Sequence, residues 1–310
     1  MSLCVVFLGT AGSIPTIQRN LPAIAIQRKG ELILFDCGEG VQRQMIRARI
    51  GFHRKTKIFI THMHGDHVLG LPGLFQTMSL LNREKKLEVY GPPGIKAFVK
   101  ATQQTVQFTL TFPIEVSEIE KTGLICTEKE YEVHAVWADH TIPSLAYALT
   151  EKPRPGKFHQ EKAKSLGVPK GPLWSKLQQG SPVKLSDGRI IKPKDVLGPL
   201  RLGRKIVYTG DTQPAEKLVK FAENADLLIH EATFGDELVE RTHEDGHSTP
   251  SQAAETAKKA GTKRLVLTHI SARYKKPHLL LEQAKKFFPK VTVAEDFMKI
   301  NLPLSDKSAE

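Results

Sequence analysis

Lys57-Ile58-Phe59-Ile60-Thr61-His62-Met63-His64-Gly65-Asp66-His67 is the stretch that decides how this chain is read. The apolar, β-branched run Ile58–Ile60 predicts a strand, and it hands over directly to four ligand-type side chains. In an extended strand end, His62 and His64 lie two residues apart and point to the same side. Asp66 and His67 follow at the turn into the next helix, so four groups drawn from six residues face one pocket. Borderline ions such as zinc take histidine nitrogen and aspartate oxygen, and the pattern therefore predicts a metal site.

Three more groups of this kind stand where a strand gives way to a loop. His140 closes Ala138-Asp139-His140, Asp211 closes Tyr208-Thr209-Gly210-Asp211, and His269 closes Leu267-Thr268-His269. Strand ends fix a ligand while leaving it open to solvent. Seven such groups exceed one tetrahedral ion but suit two ions that share a carboxylate and a water. His134 does not fit, because it lies within the strand-like run Tyr131–Val136 and reads as a strand histidine with its own hydrogen bond. His53, His159, His243 and His278 stand in basic or loop surroundings and read as surface groups.

Away from these motifs, β-branched runs bounded by glycine recur at Leu3–Leu8, Ala23–Gln27, Leu32–Asp36, Leu87–Tyr90, Leu145–Leu149, Lys205–Tyr208, Leu227–Ile229 and Arg264–Thr268. Helical spacing follows at Gln42–Ala48, Leu69–Leu81, Ile95–Gln104, Pro214–Ala225, Ser248–Ala260 and Leu279–Phe288. Early strands follow one another through turns and later ones alternate with helices, which predicts a mixed α/β chain. With 310 residues, 40% hydrophobic and 25% charged, composition excludes collagen-like, disulfide-scaffold and wholly disordered readings. Cys4, Cys37 and Cys126 form no CxxC pair, and an odd cysteine points to a reducing, cytoplasmic setting. The N-terminus reads as a first strand and not as a signal peptide, and no apolar run reaches the ~18 residues of a membrane span.

Charge is concentrated. The chain carries 45 Lys and Arg against 33 Asp and Glu, a net +12. Residues 151–205, rich in proline, glycine and lysine, hold 14 basic and 4 acidic residues, so +10 lies in that one segment. A localised basic arm predicts an anionic partner, with a merely solvated linker as the plainer reading.

Taken together these residues resemble the metallo-β-lactamase superfamily. More narrowly the chain is similar to the ribonuclease Z family of tRNA 3′-processing endoribonucleases, in its short form. Carrying that likeness are residues 9–20 (GTAGSIPTIQRN), 35–45 (FDCGEGVQRQM), 61–74, 208–212 (YTGDT), 230–234 (HEATF), 247–254 (HSTPSQAA) and 267–274 (LTHISARY). The resemblance implies a four-layer αββα sandwich of two mixed sheets in a single domain, residues 1–310, with a flexible, protruding basic exosite arm over 151–180. It implies two Zn2+ per subunit, Mn2+ being the alternative metal. One would be held by His62, His64, His140 and Asp211, the other by Asp66, His67, His269 and the shared Asp211. Asp36 matches the superfamily aspartate that orients the ligand loop, although a turn residue before Gly38 is its plainer reading.

The same resemblance implies removal of the 3′ trailer from precursor tRNA. Asp66 would accept the proton of the attacking water, and His247, backed by Glu231, would give one to the leaving oxygen. His247 also stands where an ordinary helix start, Ser248-Thr249-Pro250, would place it. Arg19, Asn20, Ser248, Thr249 and Arg273 are implied as substrate contacts near the cut, with an ion-pair role open for Arg273. Gly171 and Pro172 are implied on the arm, where Phe158 and Trp174 interleave with lysines as stacking groups would. Ile17 occupies the lysine position of the family's PxKxRN loop. A homodimer, with one subunit's arm serving the other's site, is also implied. A thioesterase or lactonase of the superfamily would account for the ligands but not for the arm, HEAT and HST; a non-catalytic tRNA-binding protein would not need every ligand position filled.

Overall fold

In a computed structural model the chain is described from residue 3 to residue 304. It divides into two compact units, one formed by residues 3–149 with 205–303 and one by residues 150–204. Two seven-stranded sheets build the larger unit. The first runs in the order Lys299–Leu302, Leu3–Gly9, Ala23–Arg28, Glu31–Phe35, Lys55–Phe59, Leu87–Gly91 and Ile114–Glu118. Its first four strands pair antiparallel and the remainder parallel. The second runs Val291–Val293, Leu265–Thr268, Leu227–Glu231, Lys205–Tyr208, Ser144–Glu151, Tyr131–Ala138 and Gly123–Thr127. It is parallel over its first four strands and antiparallel at its far edge.

Alternation at period two sorts the side chains into layers. Val5 and Phe7 share a core with Ile24, Phe35, Tyr147 and Tyr208, which fills the space between the sheets. Val6 and Leu8 point the other way, onto Val41 and Met45 of helix Val41–Arg47 and Leu71 and Leu74 of helix Gly70–Leu80. On the second sheet Val207, Leu228, Leu265 and Leu267 turn outward onto Ala253 and Ala257 of helix Pro250–Lys259 and Leu280 of helix His278–Lys285. These alanines let the helix backbone approach the sheet closely. Helix, sheet, sheet, helix is the αββα order of the metallo-β-lactamase fold.

The predicted strands all form, their ends within a few residues of expectation, but Ile114–Glu118, Gly123–Thr127, Val291–Val293 and Lys299–Leu302 were not anticipated. All four are sheet edges. Partly exposed and interrupted by charged or polar residues, they lack the continuous apolar signature of a central strand.

The basic segment is folded. Residues 150–204 contain helices Gln160–Ser165, Pro172–Gln178 and Pro193–Val196 and the short pair Val183–Lys184 with Ile190–Ile191. Ala163, Val168, Trp174, Leu177, Val183, Leu185, Ile191 and Val196 form its own small core. At its base the Glu151 carboxylate accepts Nε and Nη2 of Arg204 at 2.7 and 2.8 Å, both residues buried. The unit thus extends well past the expected end at residue 180. It also corrects one reading: Trp174 is only 7% exposed, packs on Phe158 and gives its indole N–H to the Val168 carbonyl, so it holds this core together and cannot stack on RNA. Among the described residues no helix is long and apolar enough to cross a membrane.

Candidate metal centre

Every expected ligand stands at the end of a strand or in the loop beyond it, and the two sheets bring all seven to one cluster. His62, His64, Asp66 and His67 come from the loop after Lys55–Phe59 and the single turn Gly65–Val68. Asp211 follows Lys205–Tyr208 through Gly210, whose φ of +60° suits glycine and where a Cβ would come within 2.8 Å of Thr61. Asp36 and His269 are not glycine yet have φ of 56° and 58°. Such backbone costs on the order of 1–3 kcal/mol each, and both residues serve the cluster.

Two sets of donor atoms emerge. In the first, His64 Nδ1 lies 3.0 Å from His62 Nε2 and 3.3 Å from His140 Nε2. In the second, His67 Nε2 lies 3.3 Å from His269 Nε2, and Asp66 Oδ2 lies 3.5 and 3.4 Å from them. One oxygen, Asp211 Oδ2, touches both sets, at 3.7 Å from His62, 3.4 Å from His67 and 3.2 Å from His269. Asp211 Oδ2 thus lies between the two sets of donor atoms.

The outer ring nitrogens fix which atom faces inward. His67 Nδ1 meets Asp36 Oδ2 at 2.7 Å and His140 Nδ1 meets the Gly246 carbonyl at 2.7 Å; neither partner can donate, so both rings carry their proton there. His62 Nδ1 and His269 Nδ1 find Thr61 Oγ1 and Thr233 Oγ1 at 2.9 and 2.8 Å. With the ring proton on Nδ1, each of these four rings would turn its Nε2 lone pair to an ion at the cluster, the tautomer a metal ligand needs. Asp36 accepts from Thr61 N–H at 2.7 Å, from Thr61 Oγ1, from His67 and from Tyr208 OH at 2.8 Å, and thereby orients the ligand loop without facing the cluster.

The donor set fits divalent cations. Asp211 Oδ1 is buried with no hydrogen-bond partner, an acceptor left unspent. Burial would push the Asp211 carboxyl up, but His269 and His67 hold it well below the usual range, so it is anionic. Burial and the neighbouring His67 keep His62 well below its ordinary value, hence neutral. Burial presses the His67 imidazole down, but Asp211, Asp36 and Asp66 outweigh it and lift His67 well above its ordinary value, so these carboxylates call for positive charge at this spot, which a divalent cation would supply.

His247 stands beside this cluster, its ring 5.1 and 5.4 Å from those of His140 and His269. Its Nδ1 bonds Glu231 Oε1 at 2.9 Å, and Glu231 is itself held by Thr212 N–H, Thr233 N–H and Thr233 Oγ1. Burial presses the imidazole down, but the Glu231 charge and hydrogen bond outweigh it and lift His247 to about 9. His134 and the four expected surface histidines join no ligand group among the described residues.

Several implied substrate contacts are placed elsewhere. Arg19 is only 8% exposed and spends Nη1 on Thr10 Oγ1 and the Ala294 carbonyl; Asn20 braces the Glu39 carbonyl. Ser248 is buried on the Thr212 carbonyl, and Thr249 caps helix Pro250–Lys259. The Arg19, Ser248 and Thr249 side chains are buried and build the loops around the site, while Asn20 is half-buried. Arg273 is exposed, forms no ion pair among the described residues and lies 4.8 Å over the Phe234 ring. Gly171, at φ +140°, and Pro172 open a helix of the basic unit. The supporting Thr61, Thr233, Tyr208 and Thr212 were not singled out, although each lies within a motif already quoted.

Residues 2–150 match the model of the anti-Pycsar protein Apyc1 and residues 177–270 that of the beta-lactamase superfamily domain. The chain is 48% identical to ribonuclease Z of Methanosarcina acetivorans, covering 97% of this chain and 98% of that one. It belongs to the ribonuclease Z family. Ribonuclease Z of Myxococcus xanthus is 47% identical over 98% of this chain and 99% of its own. Human tRNase Z, short form (ELAC1), superposes with a TM-score of 0.72 at 33% identity, covering 97% of this chain and all of that one. In this member of the ribonuclease Z family the HxHxDH loop shares its cluster with His140, Asp211 and His269 from later strand ends.

Proposed function

We propose that this chain is a metal-dependent endoribonuclease that removes the 3′ trailer from precursor tRNA, leaving a 3′-hydroxyl on the tRNA and a 5′-phosphate on the trailer. The observation that carries the reading is the single oxygen, Asp211 Oδ2, shared between two sets of histidines, with His247 beside both. Two Zn2+ per subunit are the ions we assign, in the sets His62, His64, His140 with Asp211 and Asp66, His67, His269 with Asp211. When bound, such a pair supplies an acidified water and neutralises charge on the phosphoryl oxygens.

The protein's own groups do the rest. Asp66, anionic because His67 and His269 outweigh its burial, accepts the proton released as water attacks, and Ser13 N–H holds its Oδ2 at 2.9 Å. His247, protonated at neutral pH and tied through Nδ1 to Glu231, donates from Nε2 to the departing 3′-oxygen. The basic unit, residues 150–204, with Gly171 and Pro172, grips tRNA through backbone phosphates and shape. Arg273 supplies a phosphate contact nearer the cut. We assign the working enzyme to the cytoplasm as a homodimer in which the basic unit of one subunit serves the site of the other.

Incubation of metal-loaded protein with end-labelled precursor tRNA tests the function. The expected result is one cut after the last tRNA nucleotide with the stated end groups. Hydrolysis of a thioester without any cut in the RNA would replace the reading with a thioesterase.

A further inference from the structure

The reaction accounts for the scissile phosphate and the tRNA, but the trailer also needs a place. Beside His140 lies a cleft of about 720 Å³, lined by Pro93, Trp137, Ile142, Pro143 and Lys217 as well as His140 itself. That is within the ~300–1,000 Å³ range of pockets that hold small ligands. Trp137 is the penultimate residue of strand Tyr131–Ala138, three residues before His140, with part of its ring on the inter-sheet core. Its exposed part faces the cleft, and its indole N–H reaches no acceptor among the described residues, whereas that of Trp174 is spent on Val168. Lys217, ion-paired with Asp139, puts a cation at the rim.

We propose that this cleft receives the base of the first trailer nucleotide, stacked on Trp137, with Lys217 at the phosphate that follows. The inference rests on the tRNA-cleaving function. His247 gives its proton to the 3′-oxygen that departs with the tRNA, so the last tRNA nucleotide lies on its side. The flank of His247 marked by Phe234, 5.9 Å away ring to ring, carries two guanidinium groups over that ring, Arg273 at 4.8 Å and Arg241, itself paired with Asp245, at 5.3 Å. Those cations suit the tRNA backbone and leave the cleft past His140 for the trailer. Stacking on an indole tolerates any base.

The chain has only two tryptophans, so Trp174→Phe leaves Trp137 as the sole indole emitter. Titration of that variant with a 5′-phosphorylated tetraribonucleotide of trailer sequence should quench the emission saturably, while tRNA ending at its last encoded nucleotide should not. Emission unchanged by the tetranucleotide at saturating concentration, or quenched by the trimmed tRNA alone, overturns the assignment. In cleavage assays Trp137→Ala should raise KM for precursor tRNA roughly tenfold with kcat little changed, and Trp137→Phe should restore most of it. With an abasic first trailer nucleotide, the alanine substitution should cost nothing further. Normal KM in Trp137→Ala, in an enzyme that still cuts precursor tRNA, sinks the cleft alone; no cleavage by the unaltered enzyme sinks the function.

Discussion

His247 and Glu231 form a pair whose parts can be separated by substitution. His247→Ala should slow precursor cleavage roughly 10²-fold or more, with zinc content by atomic absorption unchanged. Glu231→Gln keeps a hydrogen-bond acceptor but removes the charge that raises His247, so the imidazole loses its proton at lower pH. The alkaline limb of the kcat profile should therefore move to lower pH by about one unit or more. An unmoved limb would separate Glu231 from proton delivery. His64→Ala, by contrast, should lower both bound metal and rate, since His64 Nδ1 touches two other donors of the first set. The seven candidate ligands that the structure gathers were legible in the sequence, four by the spacing of the HxHxDH run and three by standing at strand ends. Sequence alone misplaced Arg19, Ser248, Thr249 and Trp174, for which direction matters and residue type says little. A buried arginine bracing a carbonyl and an exposed one awaiting phosphate look the same as letters.

Among the elements, strand Lys55–Phe59 works at both ends. One end launches the ligand loop; near the other, the buried Lys57 ammonium pairs with Glu88 of the neighbouring strand and with Glu128, 3.0 Å away, in the turn between Gly123–Thr127 and Tyr131–Ala138. This ion group ties two inner strands of the first sheet to the turn at the far edge of the second. Lys57→Met would leave two carboxylates facing each other and should cost about 3 kcal/mol in urea unfolding at pH 7. Burial opposes ionisation of Glu88 and Glu128, but their lysine partners hold both below the ordinary range. Their contribution is therefore full above about pH 4.5 and lost as pH falls through the lower native values. The gap between wild type and Lys57→Met should shrink on acidification, and a gap that widened would refute the pairing. The central strands were legible from apolar runs; the four edge strands were not, because charged or polar residues interrupt them and leave no continuous apolar stretch.

For the molecule as a whole, the +10 segment has a fold of its own, which changes how its role must be tested. Removing residues 152–176 would cut through the small core around Trp174 and Leu177. Glu151 N–H bonds the Arg204 carbonyl at 2.9 Å, so residues 152–203 can be replaced by a two-residue turn without stretching the base. The shortened protein should show KM for precursor tRNA raised at least about tenfold and a flatter salt dependence, while hydrolysis of a small phosphodiester is retained. Equal loss on both substrates would contradict a gripping role. The carboxylate of Asp36, finally, is shared between Thr61 and His67 of the first sheet's ligand loop and Tyr208 of the second sheet. Cleavage competence and core integrity are thereby keyed to one rivet: heat that parts the sheets at Tyr208 also releases His67, so loss of the ions and melting of the sandwich should register as one calorimetric peak.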